Sequence, residues 1–386
     1  MPTVNFTDYT YYPVLQSTHA EHVAFNELAP NVKSELVPIF ELSRRNKASD
    51  LTASVEATRQ TTGEDPFILD LCHDAAPTPI LPRDPARARA AQAQYQRDLA
   101  AQQAYNAELQ RLLDPVDGFS AWRALTATYP NAIPVLQYTD IATQGRAILR
   151  QASALSQGGS SLAIKVKMSA SAGAAALVSN ILAVLGDPQR LLIIFDCGAA
   201  RRRPVNAVDE VNQFTADLIR HVELAEAAAL NIAFVSSSLT PRNHEGLYEV
   251  ANLDIPLWLD ARQFHRYAFG DYGATIRRAG SFAPPDWRAQ PIYPLDQSWL
   301  WYRHHVSNDP RGWIDGCGEI QAHAEYNPVP QCWGSDLIAR AAAGEIDNID
   351  SSWHWNAAKT NIHITRMVRQ IPNLMDDEIG FDDQEG

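Results

Sequence analysis

Lys165 and Lys167 stand two apart in LAIKVKM, and a polar side chain closes each of the other short apolar runs in the first part of this chain. Gln16 ends YYPVLQ, Glu41 closes LVPIFEL, Asp70 PFILDLC, Gln137 AIPVLQY, Asp196 LLIIFDC, Ser236 NIAFVSS, and Asp271 with Tyr272 YAFGDYG. Residues two apart on a strand share a face, so the two ammonium groups point the same way. They need acids beside them, because an unpaired buried charge is strongly unfavourable. Glu41, Asp70 and Asp196 are the partners at hand. One reading is a structural ion-pair network. The other is a polar basin in which Glu41, Asp70 and Asp196 serve as acid/base groups or as oxygen ligands of a divalent cation such as Mg. Lys165 and Lys167 would then stabilise negative charge on a phosphoryl or enolate group. A desolvated lysine can also act as a base or form a Schiff base, and spacing leaves these choices open.

Around that nucleus, GAARRRP sets Arg201, Arg202 and Arg203 just after the run ending at Asp196. They form either a solvated turn or a recruiting site for a phosphate-bearing ligand. Gln137, Ser236, Asp271 and Tyr272 complete the expected substrate-binding set. His73, in DLCHD, is either a surface residue or an acid/base group near neutral pH. Cys72, Cys197, Cys317 and Cys332 form no CxxC pair and read as free thiols.

The elements that must position these groups are short strands separated by helical segments. Eight apolar runs, each finishing in a polar residue, are the pattern of an α/β protein with a (β/α)8 TIM-like barrel, whose reactive groups sit at the C-terminal ends of the strands. SDLTASVEATRQTTG is a helix stopped by Gly63, SAGAAALVSNILAVLG one stopped by Gly186, and the segment from Val205 to Leu230 a long amphipathic helix. YAFGDYGAT is preferred as the eighth strand over IPLWLDARQFHRY, which reads as the last helix region. The stretch 84–113, rich in Ala, Gln and Arg, interrupts the rhythm after the third strand. It reads as a helical hairpin against the barrel, or as an arm for a protein partner or a second copy of the chain. After Ala279 the composition changes, and seven of the nine tryptophans follow. QSWLWYRHHV alternates like a strand, GSDLIARAAAGE is a helix with Ser335 or Asp336 as its cap, and NIHITRMVRQI fits a strand or a helix. The expected organisation is a barrel over 1–280, a Trp-rich C-terminal extension over 281–375 that is a second candidate partner surface, and an acidic tail over 376–386.

Bulk properties narrow the function. A net charge of −13 makes nucleic acid an unlikely partner, since such binding rests on phosphate neutralisation. A small anionic ligand remains compatible through a local basic patch. No apolar run reaches membrane-spanning length and the N-terminus lacks a signal-peptide pattern, so a cytoplasmic protein is expected.

The stretches YYPVLQSTHAEHVAFNEL, LVPIFELSR, FILDL, FGDYGA, CWGSDLIARAA and WHWNAAKTNIHITRMVRQI together resemble the family called beta protein, found in prokaryotes and phages. The resemblance implies a barrel-like protein occurring near phage-related or defence-related genes. It places Glu41, Asp70, Asp271, Tyr272, Asp336, Asn361 and His363 on recurrent motif positions. The helical stretch 84–113 and the arginine run are not features of the family pattern. With the residues above, the expected function is a phage-associated or phage-defence barrel acting as a hydrolase or lyase on a phosphate-containing small molecule or nucleotide. The alternative is a non-catalytic scaffold of an anti-phage or host-takeover complex.

Overall fold

The computed structural model describes residues 2–45, 47–81, 85–199, 206–239, 244–275 and 287–379. Its barrel strands, in chain order, are β1 (Tyr11–Gln16), β2 (Ile39–Leu42), β3 (Phe67–Leu71), β4 (Ala132–Leu136), β5 (Leu162–Lys167), β6 (Leu191–Ala199), β7 (Asn231–Ser237) and β9 (Tyr267–Asp271). Each pairs in parallel with the next, and β9 returns to β1 to close the cylinder. The chain therefore folds as an α/β (β/α)8 TIM-like barrel, with Tyr267–Asp271 as the closing strand. Closure depends on Gly270: a Cβ there would lie 2.6 Å from Val235 Cγ2 and 3.1 Å from the Tyr12 carbonyl oxygen. Only a residue without a side chain lets β9 fit between β7 and β1.

Strand alternation decides what the barrel encloses. Ile39, Ile68, Val135, Ala163 and Ile194 belong to the inner cluster. Two residues further along the same face, at the C-terminal end, stand Glu41, Asp70, Gln137, Lys165 and Asp196. Phe234 and Phe269 belong to the outer cluster that packs under the helices. Ser236 and Asp271 are two residues beyond them and so face outward, away from the mouth.

Several local expectations change in the structure. The stretch 84–113 forms one helix, Pro85–Leu112, not a hairpin. Its Tyr105, Leu109 and Leu112 are buried in the outer core, whereas the N-terminal half is largely exposed. The long helix read over 205–230 is two helices, Ala207–Ile219 and Leu224–Ala228. Glu223 and Glu226 form a capping box that restarts the second. NIHITRMVRQI, which fitted a strand or a helix, takes the second alternative within the helix Ser352–Ile379. Residues 357–367 are buried without interruption, so no polar face marks the helical period. The cap of helix Trp333–Ala342 is Cys332; Ser335 instead sits at its third position and accepts from the Cys332 N–H at 2.9 Å.

A strand absent from the sequence reading, β8 (Gly246–Ala251), lies between β7 and β9 in the chain but outside the barrel. It pairs antiparallel with β11 (Ser298–Arg303), which also pairs with β10 (Ile292–Pro294). This pairing crosses the composition boundary near residue 280. The tryptophans build the core beside that sheet: Trp313 stacks between Trp287 and Trp355, with ring centroids 6.2 and 4.8 Å away. The four cysteines are free. No described helix is long and apolar enough to cross a membrane. Residues 380–386 of the acidic tail, and 276–286 at the composition boundary, lie outside the described residues.

The helix Ser352–Ile379 joins this layer to the barrel. Its His363 Nε2 is 2.5 Å from Asp271 Oδ2, while Asp271 Oδ1 accepts from the Tyr11 hydroxyl and the Gly273 N–H, each at 2.9 Å. Asn361 donates to the Ala24 carbonyl oxygen and accepts from the Gly334 N–H, both at 3.0 Å. His363→Ala would leave a buried carboxylate short of one strong partner. We expect a loss of about 2–4 kcal/mol in denaturant unfolding. Faster hydrogen exchange in 352–379 should precede any change in the barrel strands.

Candidate active site

At the C-terminal mouth, the Lys165 ammonium lies 2.5 Å from Glu41 Oε1 and also pairs with Asp70 Oδ2. Both carboxylates are almost fully buried. Burial would lower the lysine pKa, but the charges of Asp70, Glu41 and Asp196 outweigh it and raise it well above the ordinary value. Burial would likewise push the Asp70 carboxyl up, yet the charge and hydrogen bond of Lys165 hold it below the usual carboxylate range. Lys165 is therefore a fixed cation. Its pairing with two carboxylates favours the charged form over the free amine that a base or a Schiff base needs.

The other polar groups complete the mouth. Gln137 Nε2 donates to Asp70 Oδ1 at 3.1 Å, and Gln137 Oε1 faces His73 Nε2 at 2.8 Å. Tyr272 and the Gly198 N–H donate to Asp196 Oδ1 at 2.6 and 2.8 Å. Burial pushes the Tyr138 phenol up to about 12, and its hydroxyl donates to the Lys165 carbonyl oxygen at 2.5 Å. Lys167 is exposed on the rim. A small pocket, open to solvent, is lined by Asp70, His73, Gln137, Tyr138, Lys165 and Lys167.

The arrangement brings together Glu41, Asp70, Gln137, Lys165, Lys167, Asp196 and Tyr272. It does not bring Ser236 or Asp271 to the mouth. Ser236 donates to Asp254 Oδ1 at 2.8 Å on the helix side, and Asp271 holds His363. Arg201, Arg202 and Arg203 lie outside the described residues. A divalent ion shared by Glu41, Asp70 and Asp196 does not fit this geometry, because the Lys165 ammonium already lies against the first two and Tyr272 binds the third. Among the described residues, no three His, Cys, Asp or Glu side chains are placed to hold a metal.

Sequence reasoning missed Glu21. Thr18 caps the helix His19–Asn26 and donates to Glu21 Oε2 at 2.7 Å, so Thr-x-x-Glu was a readable capping signal. Its burial was not readable. Burial pushes the Glu21 carboxyl up to about 7, against hydrogen bonds from Thr18, the Gln16 backbone and Thr275, and Glu41 adds to the rise.

These features define a (β/α)8-barrel protein whose mouth holds a buried lysine between two carboxylates beside an open polar pocket. Residues 11–369 match the model of the Beta protein family, and the chain belongs to that family. Protein beta of Enterobacteria phage P4 is 23% identical to it over 99% of this chain and 98% of its own length.

Two stability measurements test the electrostatics. Lys165→Met leaves two buried carboxylates facing each other and should cost about 3–5 kcal/mol at neutral pH, with Glu41→Gln and Asp70→Asn added to it recovering most of the loss. In the native chain the Asp70 contribution is present above its unfolded pKa and lost as pH falls through the lowered folded value. The Lys165 contribution is present below its unfolded pKa and lost as pH rises through the raised one. Glu21 has the opposite sign to Asp70. Its folded state binds more protons than the unfolded chain between the model value of 4.5 and about 7, so stability falls as pH rises through that window. Glu21→Gln should accordingly stabilise the protein at pH 8 by roughly 3 kcal/mol and have little effect at pH 4.

Proposed function

We propose that the barrel mouth is the active site of a hydrolase or lyase acting on a phosphate-containing small molecule or nucleotide. The observation that carries this reading is Lys165, held as a permanent cation by Glu41 and Asp70 at the wall of an open pocket, with Lys167 at its rim. Preorganised positive charge facing a ligand stabilises charge that develops on a phosphoryl oxygen without reorganising solvent. In this reading Glu41 and Asp70 orient Lys165, Lys165 and Lys167 meet the anion, Gln137 and Tyr272 complete the binding surface, and Asp196, which accepts from the Tyr272 hydroxyl, is a further acid/base group. Arg201, Arg202 and Arg203, which follow β6 in sequence, would recruit the anion from solution. The kinship with a phage protein supports a role in phage biology, including defence.

Inorganic pyrophosphate is a suitable first probe. Calorimetry should detect binding that weakens as salt is raised, and Lys167→Ala should weaken it by about tenfold with an unchanged melting temperature. Pyrophosphate, ATP and ADP all failing to bind would remove the reading.

The non-catalytic scaffold reading draws on one observation, the exposed N-terminal half of helix Pro85–Leu112. Its test is removal of 86–97, which must abolish self-association or complex formation in sedimentation while the barrel still melts cooperatively.

A further inference from the structure

The loop after β3 carries an imidazole whose proton is placed by its neighbours. Asp70 is ionised and can only accept, so the amide nitrogen of Gln137 must face it; the same nitrogen donates to the Val135 carbonyl oxygen at 3.1 Å. Both amide protons are thus committed, and Gln137 Oε1 is left as an acceptor 2.8 Å from His73 Nε2. The backbone N–H of Gln137 is itself held by Gln151 Oε1 at 2.9 Å. A ring nitrogen facing an acceptor carries the hydrogen, which leaves the lone pair on Nδ1.

We infer that His73 is the proton-transfer residue of the barrel mouth, with Nδ1 as its basic atom, and that Gln137 is the positioning residue that sets its tautomer by linking it to Asp70. This rests on the reading of the mouth as a site for a phosphate-bearing ligand. It adds to that reading the group that would activate water, and a role for the helix that interrupts the barrel. Three residues past His73, the Ala76 N–H donates to Asn106 Oδ1 at 2.9 Å and the Ala76 carbonyl oxygen accepts from Gln102 Nε2 at 3.0 Å. Asn106 and Gln102 belong to the packed half of helix Pro85–Leu112, so that half clamps the loop that carries the imidazole.

The charged groups around the ring are Asp70, Lys167 and Lys165. Burial and the two lysines lower the His73 pKa, while the Gln137 hydrogen bond and Asp70 oppose them; the net shift is downward, which favours the neutral ring with its free lone pair. In the step this permits, water gives its proton to Nδ1 as its oxygen lone pair forms the new P–O bond. The bond to the leaving oxygen breaks with its electron pair, and the imidazolium returns the proton to that oxygen. Negative charge on the phosphoryl oxygens faces the lysines throughout.

The test uses the full chain labelled with 15N-histidine, the His73 resonances being assigned by their loss in His73→Asn. Long-range 1H–15N spectra should show a neutral ring protonated on Nε2 at pH 7, and inorganic phosphate should shift the Nδ1 resonance. Gln137→Glu should raise the His73 titration midpoint by about one pH unit or more, because a carboxylate would then face Nε2. Phosphate binding that depends on Lys167, together with a ring protonated on Nδ1 or already charged at pH 7, would overturn the assignment of His73 and leave the anion site standing. A ring protonated on Nε2 with no phosphate bound, by 31P line width or Nδ1 shift, would remove the anion site and with it the role of His73. Should Gln137→Glu fail to fold, the wild-type tautomer alone decides.

Discussion

The ammonium of Lys165 between Glu41 and Asp70 is the interaction on which the mouth of this barrel depends. Three charged side chains converge where a closed sheet would otherwise bring hydrocarbon together, and none could be buried there alone. Once paired, they organise their surroundings. Asp70 orients Gln137, and Gln137 meets His73. Tyr272 reaches across from the closing strand to Asp196. The network spans β2, β3, β4, β5, β6 and the end of β9, so it exists only when the barrel is closed.

Another buried carboxylate, Asp271, does comparable work on the opposite face of the sheet. Strand alternation turns it outward, where Tyr11 of β1 and His363 of the last helix meet it. Several residues that carry the family resemblance, Asp271, Asn361 and His363 among them, therefore join the C-terminal helix to the barrel. Glu41, Asp70 and Tyr272 lie at the mouth. The motifs thus divide between a site and the latch that ties the Trp-rich layer to the barrel supporting it.

The interrupting helix is likewise divided. Its C-terminal half is fastened to the barrel by Tyr105 and Leu109 and by the clamps on Ala76, and its midpoint by the Lys47–Asp98 ion pair at 2.5 Å. Its N-terminal half has few apolar residues beyond alanine and largely meets solvent. The helix was legible from propensity. Its unbroken course was not, because a turn between two helices and a continued helix carry the same Ala/Gln/Arg composition in a stretch without Gly or Pro in its interior.

By itself the sequence determined that there would be eight parallel strands, because each apolar run is short, ends in a polar residue and is followed by a helical segment that returns the chain. It also determined that Glu41, Asp70, Lys165 and Asp196 would share a level of the barrel, since they stand at equivalent places in their strands. Only the tertiary structure decided which face each polar residue takes. A one-residue difference in strand parity sends Asp196 inward and Asp271 outward, and local pattern does not show it where both faces are buried. Tertiary structure also decided that Lys165 is paired with Glu41 and Asp70, that Glu21 is buried, and that β8 leaves the barrel to join β11. Each of these outcomes depends on partners more than 15 residues distant in the chain, whose approach is set by closure of the sheet and not by any local sequence signal.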